Sequence, residues 1–181
     1  MMEKIEIVAA EINYLIANAQ TMTLATLDSA GVPEASMAPF IHDAATHQFY
    51  TAVSGLSPHT AYLATKKPIG IMIITDEQGA PQVLARKRVS YTCDVHEIFR
   101  ETEICHMLYE QFKAKFGGIM ELLFQLPDFR LFGLDPLSGR YIAGFGGAYI
   151  LKGDSITPIG PGNLRKGPGL EQAPQPPPCQ A

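Results

Sequence analysis

Residues 83–98 read VLARKRVSYTCDVHEI, and their alternation limits what this chain can become. Val83, Ala85, Val89, Tyr91, Cys93 and Val95 fall on one face, broken by Lys87. Arg86, Arg88, Ser90, Thr92, Asp94 and His96 fall on the other. Successive side chains of a strand point to opposite faces, so the pattern predicts one long strand with a buried and a polar side. Such a strand needs partners on both edges, and the rest of the chain supplies candidates.

TMTLATL and EASMAPFI flank DSAG, a run of turn formers, and predict a hairpin around Asp28–Gly31. QFYTAV reads as a third strand and IGIMIIT as a continuous apolar one. DFRLFGL, a turn at DPLSG and RYIAGFGGAYIL return the chain to β-structure. Pro39 lacks an N–H and so belongs at an edge, a bulge or beside a ligand. Helices are written between these strands. Ile5, Val8, Ile12, Leu15 and Ile16 recur at helical spacing, as do Ile104, Met107, Leu108 and Phe112, which Gly117 and Gly118 stop. Ser57 and Pro58 suit the first positions of a helix that Pro68 bounds, and IMELLF suits one more short helix. Strands joined mostly by hairpins predict a mainly β (α+β) domain, an antiparallel barrel rather than a doubly wound sheet. This domain is expected over residues 1–152, and residues 153–181, rich in Pro and Gly, as a mobile tail.

Composition removes several functions. A net charge of -4 argues against a general nucleic-acid binder. No apolar run approaches the roughly 20 residues that span a bilayer, and acidic residues interrupt the N-terminal apolar positions, unlike a signal peptide. Cys93, Cys105 and Cys179 are too scattered for a disulfide framework, which points to a cytoplasmic protein with reduced thiols.

Residues with chemistry are few. GFGGAYI (residues 144–150) lacks the third glycine and the following helix of a dinucleotide loop, and reads as a strand with a glycine bend. Cys93 and His96, three apart on a strand, point to opposite faces, so no metal site is expected. No G-x-S-x-G element surrounds Ser54. Ser57, His59 and Thr60 open a helix, where they either cap it or meet an anion. Arg86 and Arg88, two apart on the expected strand, form either a clamp for phosphate or carboxylate or a solvated pair.

TLATLDSAGVPEASMAPFIHD, FYTAVSGLSPHTAYL, LARKRVSY and DFRLFGLDPLSGRYIAGFGGAYIL, in that order, resemble one family. It is the haem-utilisation branch of the pyridoxamine 5'-phosphate oxidase-like, flavin-binding split-barrel superfamily. The resemblance covers nearly all of residues 15–152. It implies a six-stranded split barrel with flanking helices, a homodimer, and cofactor clefts along the dimer interface. By resemblance to flavin-binding relatives, Ser36, Ala38, Ser54, Ser57, His59, Thr60, Arg86 and Arg88 become candidates for holding flavin mononucleotide (FMN). Asp128 matches an acid that haem-utilising relatives place near the haem. Leu164 stands where those relatives carry the histidine that ligates iron, and leucine cannot do so. The leading expectation is therefore an FMN-dependent oxidoreductase acting on a small-molecule redox substrate. One alternative is a haem-binding or haem-degrading protein ligating iron through His42, His59 or His96. The other is a non-catalytic cofactor-binding module.

Overall fold

Asp28 shapes the first hairpin, accepting the amides of Ala30 and Val32 at 2.8 Å each, while Gly31 takes a left-handed φ of 82°. In the computed structural model, which describes residues 2–78, 80 and 82–160, this turn joins β1 (Thr21–Leu27) to β2 (Pro33–Asp43). The other strands are β3 (Gln48–Ser54), β4 (Ile69–Ile74), β5 (Arg88–Ile98), β6 (Phe129–Gly144), β7 (Gly147–Lys152) and β8 (Ser155–Pro158). The helices are α1 (Met2–Asn18), α2 (Pro58–Leu63), α3 (Glu103–Phe116) and α4 (Ile119–Gln125). Strand order is β3-β2-β1-β4-β5-β6, and β6 returns to β3, closing a six-stranded antiparallel barrel from which β7 and β8 extend.

Two strands change partner along their length. β2 pairs with β1 up to Pro39 and with β3 from Phe40 onward, so the missing N–H of Pro39 falls at the exchange. β6 keeps β5 beside it throughout, but pairs with β3 over residues 129–134 and with β7 from Gly139. The expected turn at DPLSG is instead the middle of this strand. Pro136 sits between the two partners, where no ladder needs its N–H, and Leu137 is an extra residue opposite the Thr92–Cys93 step.

Two further expectations are corrected. GFGG is not a bend within one strand but the β6–β7 hairpin turn, with Gly144 at φ 133°, Gly146 at φ 75° and Phe145 at the tip, 74% exposed. The strand expected from Val83 begins at Arg88, because Val83–Ala85 is a short 3-10 turn whose Leu84 amide donates to the Gln82 side chain. The ladder also runs past the expected boundary at residue 152, since β8 pairs with β7 through Pro158. Residues 161–181, with Leu164 and most of the expected tail, lie outside the described residues.

Two apolar clusters hold the fold. The first fills the barrel and the underside of α1, joining Ile12 and Ile16 to Leu24, Phe40, Ile71, Val89 and Phe132. In the second, Leu108 and Phe112 of α3 and Met120 of α4 cover Ile41, Tyr50, Ile98 and Leu131 on part of the outer wall. Thr102 caps α3, its hydroxyl accepting the Cys105 amide, and Gly117 stops it at φ 79°, as the sequence predicts. Among the described residues no helix is long and apolar enough to cross a membrane.

Polar pairs fix the register between layers. Glu11 of α1 receives Lys87 Nζ at 2.6 Å and the Tyr141 hydroxyl at 2.9 Å. Burial alone would raise the Glu11 pKa, but these two hydrogen bonds outweigh it and hold the carboxyl below its ordinary 4.5. Across β5 and β6, His96 Nδ1 lies 2.9 Å from Asp135, which also accepts Gln48 Nε2 at 2.5 Å. The His96 ring needs Gly133, since a Cβ there would stand 2.3 Å from its Cε1 and Nε2 atoms.

Gly133→Ala is expected to destabilise the fold by about 1–3 kcal/mol, the usual scale of overpacking. Gly31→Ala is strained by its positive φ but meets no neighbour, so a thermal melt separates the two causes. The lowered Glu11 pKa stabilises the fold at neutral pH. This contribution is lost as pH falls from 4.5 toward the lower folded-state value. Glu11→Gln is expected to flatten that part of the stability–pH curve, read by denaturant unfolding at a series of pH values.

Candidate functional site: an uncovered barrel face and its acidic corner

The helices leave half of the outer wall bare. Register aligns Met37, Thr23, Met72, Ser90, Arg140 and Ile150 in one row across β2, β1, β4, β5, β6 and β7. A second row runs Ala35, Ala25, Gly70, Thr92 and Ser138. These small side chains make a nearly flat floor, and Gly70 is pressed so near Ala25 that a Cβ would lie 3.3 Å from the alanine methyl. Over the floor lies a shallow groove of about 490 Å³ bordered by Met72, Ser90, Thr92 and Arg140. Met37 is 66% exposed and Ile150 44%, an apolar surface without a neighbour among the described residues.

An acidic corner lies where β2 and β3 part. β2 and β3 stop pairing at Phe40 and Thr51 and diverge toward Met37 and Ser54. α2 occupies the opening and buries His59, Thr60 and Leu63 against β1 and β5. At the mouth, Asp128 Oδ2 accepts the Ser54 hydroxyl at 2.7 Å and the Gly55 amide at 3.0 Å. The Ser54 hydrogen bond, helped by backbone amides, holds the Asp128 carboxyl below the usual carboxylate range. A Cβ at Gly55 would stand 3.1 Å from the Asp128 Cβ, a tight contact that favours glycine. The loop bearing Asp128 is clamped from outside, as the Arg100 guanidinium donates to the carbonyls of Phe124, Leu126 and Phe129. No sequence pattern announces Arg100, because its partners are backbone atoms far along the chain.

The residues expected to hold a cofactor fall in three places: Ser54, Ser57, His59 and Thr60 at the turn into α2, Ser36 and Ala38 on β2, and Arg86 and Arg88 about the start of β5. Ser54 joins the corner with Asp128. Ser57 takes the N-cap position of α2 without a side-chain capping bond, so its capping reading is not met. Thr60 is turned inward, its hydroxyl donating to the Ser54 carbonyl at 2.5 Å. Ala38 is 1% exposed, and Ser36 Oγ and His59 Nε2 are buried without partners among the described residues. Their side chains serve the interior. The arginine clamp is overturned: Arg86 precedes the strand, its Nε donates to the Thr75 carbonyl and its Nη1 to Glu77, both at 2.7 Å. Arg88 donates one N–H to the Arg86 carbonyl, and shares the open face with Arg140, which the sequence reading passed over.

Comparison with known proteins fits this architecture to a family. The family described as pyridoxamine 5'-phosphate oxidase matches residues 8–143. The chain belongs to that family. Within it, the chain is 35% identical over 138 residues to the heme oxygenase HutZ of Vibrio cholerae, covering 76% of this chain and 77% of that one. A crystal structure of HutZ from Vibrio cholerae, described as a haem storage protein, superposes with a TM-score of 0.66 at 33% identity, covering 70% of this chain and 88% of that one. ChuZ of Campylobacter jejuni superposes at 0.78 and 29% identity, covering 84% of this chain and 62% of that one.

These relatives correct the leading expectation. An FMN-dependent oxidoreductase with FMN as cofactor does not stand, because the relatives that match at 33–35% identity are described by haem. Its structural premise fails too, since Arg86 is already bonded within its own chain. Arg86→Ala is therefore expected to lower stability by about 1–3 kcal/mol, the scale of a charged hydrogen bond. Thermal melting checks this, and an unchanged melt would return Arg86 to the pool of ligand-binding candidates.

Proposed function

We propose that this protein binds and degrades haem as a cytoplasmic homodimer. The observation that carries the reading is the uncovered outer face, a flat apolar floor with two guanidiniums. Haem is a flat apolar macrocycle with two carboxylates, and its size and charge suit that surface. Ala25, Ala35 and Gly70 would lie under the ring, Met37 and Met72 beside it, and Arg88 and Arg140 near the carboxylates. Haem bound there would supply a redox-active iron and would itself be the small-molecule substrate. The described histidines stand elsewhere. His42 lines a cavity under α1, His59 is inside, and His96 is held by Asp135. None of these three stands on the open face, and no iron ligand is assigned among the described residues.

The chain's own groups have definite parts. The floor would exclude water from one side of a bound ring, and a second copy would cover the other. Two-fold pairing brings one exposed apolar face against itself, which is why a homodimer follows from the same observation. Asp128, kept ionised by Ser54 and Gly55, has its bonds on Oδ2, so Oδ1 can accept a proton-bearing group at the cleft mouth. The cytoplasmic placement rests on Cys93 and Cys105, which are buried free thiols.

Titration with hemin is expected to give a saturable Soret band at micromolar concentration. Arg140→Glu is expected to weaken that binding by about tenfold or more, as for a lost charged contact. Absence of saturable binding in the wild-type protein would sink the proposal. Asp128→Asn is expected to slow ascorbate-driven loss of the Soret band by at least about a hundredfold, the lower range for acid–base groups, with hemin affinity nearly unchanged. Sedimentation velocity should find a dimer that Ala25→Arg converts to a monomer, and a monomeric wild-type chain would refute the assembly.

A further inference from the structure

A second candidate site lies on the inner side of the same strands. Between α1 and the barrel end is a cavity of about 200 Å³. Ile12 and Ile16 of α1 and Leu151 and Ile156 of β7 and β8 line it with Phe49 and Tyr91. The Phe49 ring centroid is 5.5 Å from that of Tyr91 and 4.5 Å from that of His42, so three rings make a continuous aromatic wall. His47 and Asp154 meet at the rim, 3.3 Å apart and exposed, and place a carboxylate at the entrance.

His42 is the unusual member of this lining. Its ring makes no hydrogen bond among the described residues. Burial first, then the charges of His47 and Lys115 against the opposing charge of Asp43, pushes its pKa down to about 4. At neutral pH it is an uncharged imidazole with one donor and one acceptor nitrogen. An apolar cavity of about 150 Å³ takes up benzene, so this one has room for a single small ring system and none for a macrocycle.

We propose that the cavity binds a small, uncharged, planar aromatic molecule that carries one N–H or O–H group and pairs it with His42. The apolar part of the lining disfavours a charged ligand, and the ring wall favours a flat apolar body over a sugar or an aliphatic chain. The polar partner distinguishes this site from a dry packing defect, which would take a hydrocarbon equally well. Neither the ligand nor its readout involves haem, so the proposal stands or falls apart from the outer face.

Indole and its hydrocarbon counterpart indene are suitable probes, titrated into ¹⁵N-labelled full-length protein. Both should shift the amides around Ile12, His42, Phe49 and Leu151, with indole binding about five- to tenfold tighter, the value of one net hydrogen bond. His42→Phe should remove that preference and keep indene binding. Ala9→Phe, which fills the cavity from the α1 side, should abolish binding of both and guards against a His42 variant that fails to fold. The proposal is overturned if neither probe shifts those amides up to its solubility, if wild-type protein binds both equally, or if the preference survives in His42→Phe.

Discussion

The fold depends on one strand serving two sheets. β6 lies against β5 along its whole length and gives its other edge first to β3 and then to β7. The first half closes the barrel, and the second carries the hairpin that widens it. The change of partner falls at Pro136 and Leu137, where a missing donor and an unpaired residue cost least. Gly133 and Gly139 stand on either side of it. Each admits a ring that a Cβ would strike, His96 at 2.3 Å and Tyr91 at 2.4 Å.

Closure also decides which surfaces remain available. The β3 side of the outer wall is covered by α3 and α4, whose Leu108 and Phe112 are completely buried. Among the described residues the side from β2 to β7 has no such cover, and its small side chains leave it flat. β2 and β3 part at Phe40 and Thr51, and the opening is filled by α2 rather than by solvent. Asp128 is thereby brought to Ser54, 74 residues away in sequence. Charge follows the same division. Arg86, Arg100 and Arg130 bind groups of their own chain, whereas Arg140 stands on the bare face, where it remains available to a ligand.

Much of this organisation was legible along the chain. The inward set Val89, Cys93 and Val95 followed from alternation, and α1 and α3 from their helical spacing. The DSAG hairpin and the Gly117 stop followed from turn chemistry. DPLSG misled because its residues favour a turn locally, while pairing to β5 on one edge holds them extended. GFGG was read as a bend because a two-residue hairpin tip shows only its glycines, and the strand that returns beside β6 has no local mark. The start of β5 was placed early because Arg86, although in phase with the pattern, is pulled from the ladder by Thr75 and Glu77.

The order of strands and helices, their faces and the family were set by local patterns and by residues in sequence order, since period and turn chemistry act over a few neighbours. Which arginines are free, which histidines are buried, and where Asp128 meets Ser54 were decided only by the closed barrel. Those properties depend on contacts across dozens of residues, and on which half of a symmetric-looking wall the helices happen to cover. The arginine reading turned on that difference: two residues in phase suggested a clamp, and the folded chain had already occupied one of them.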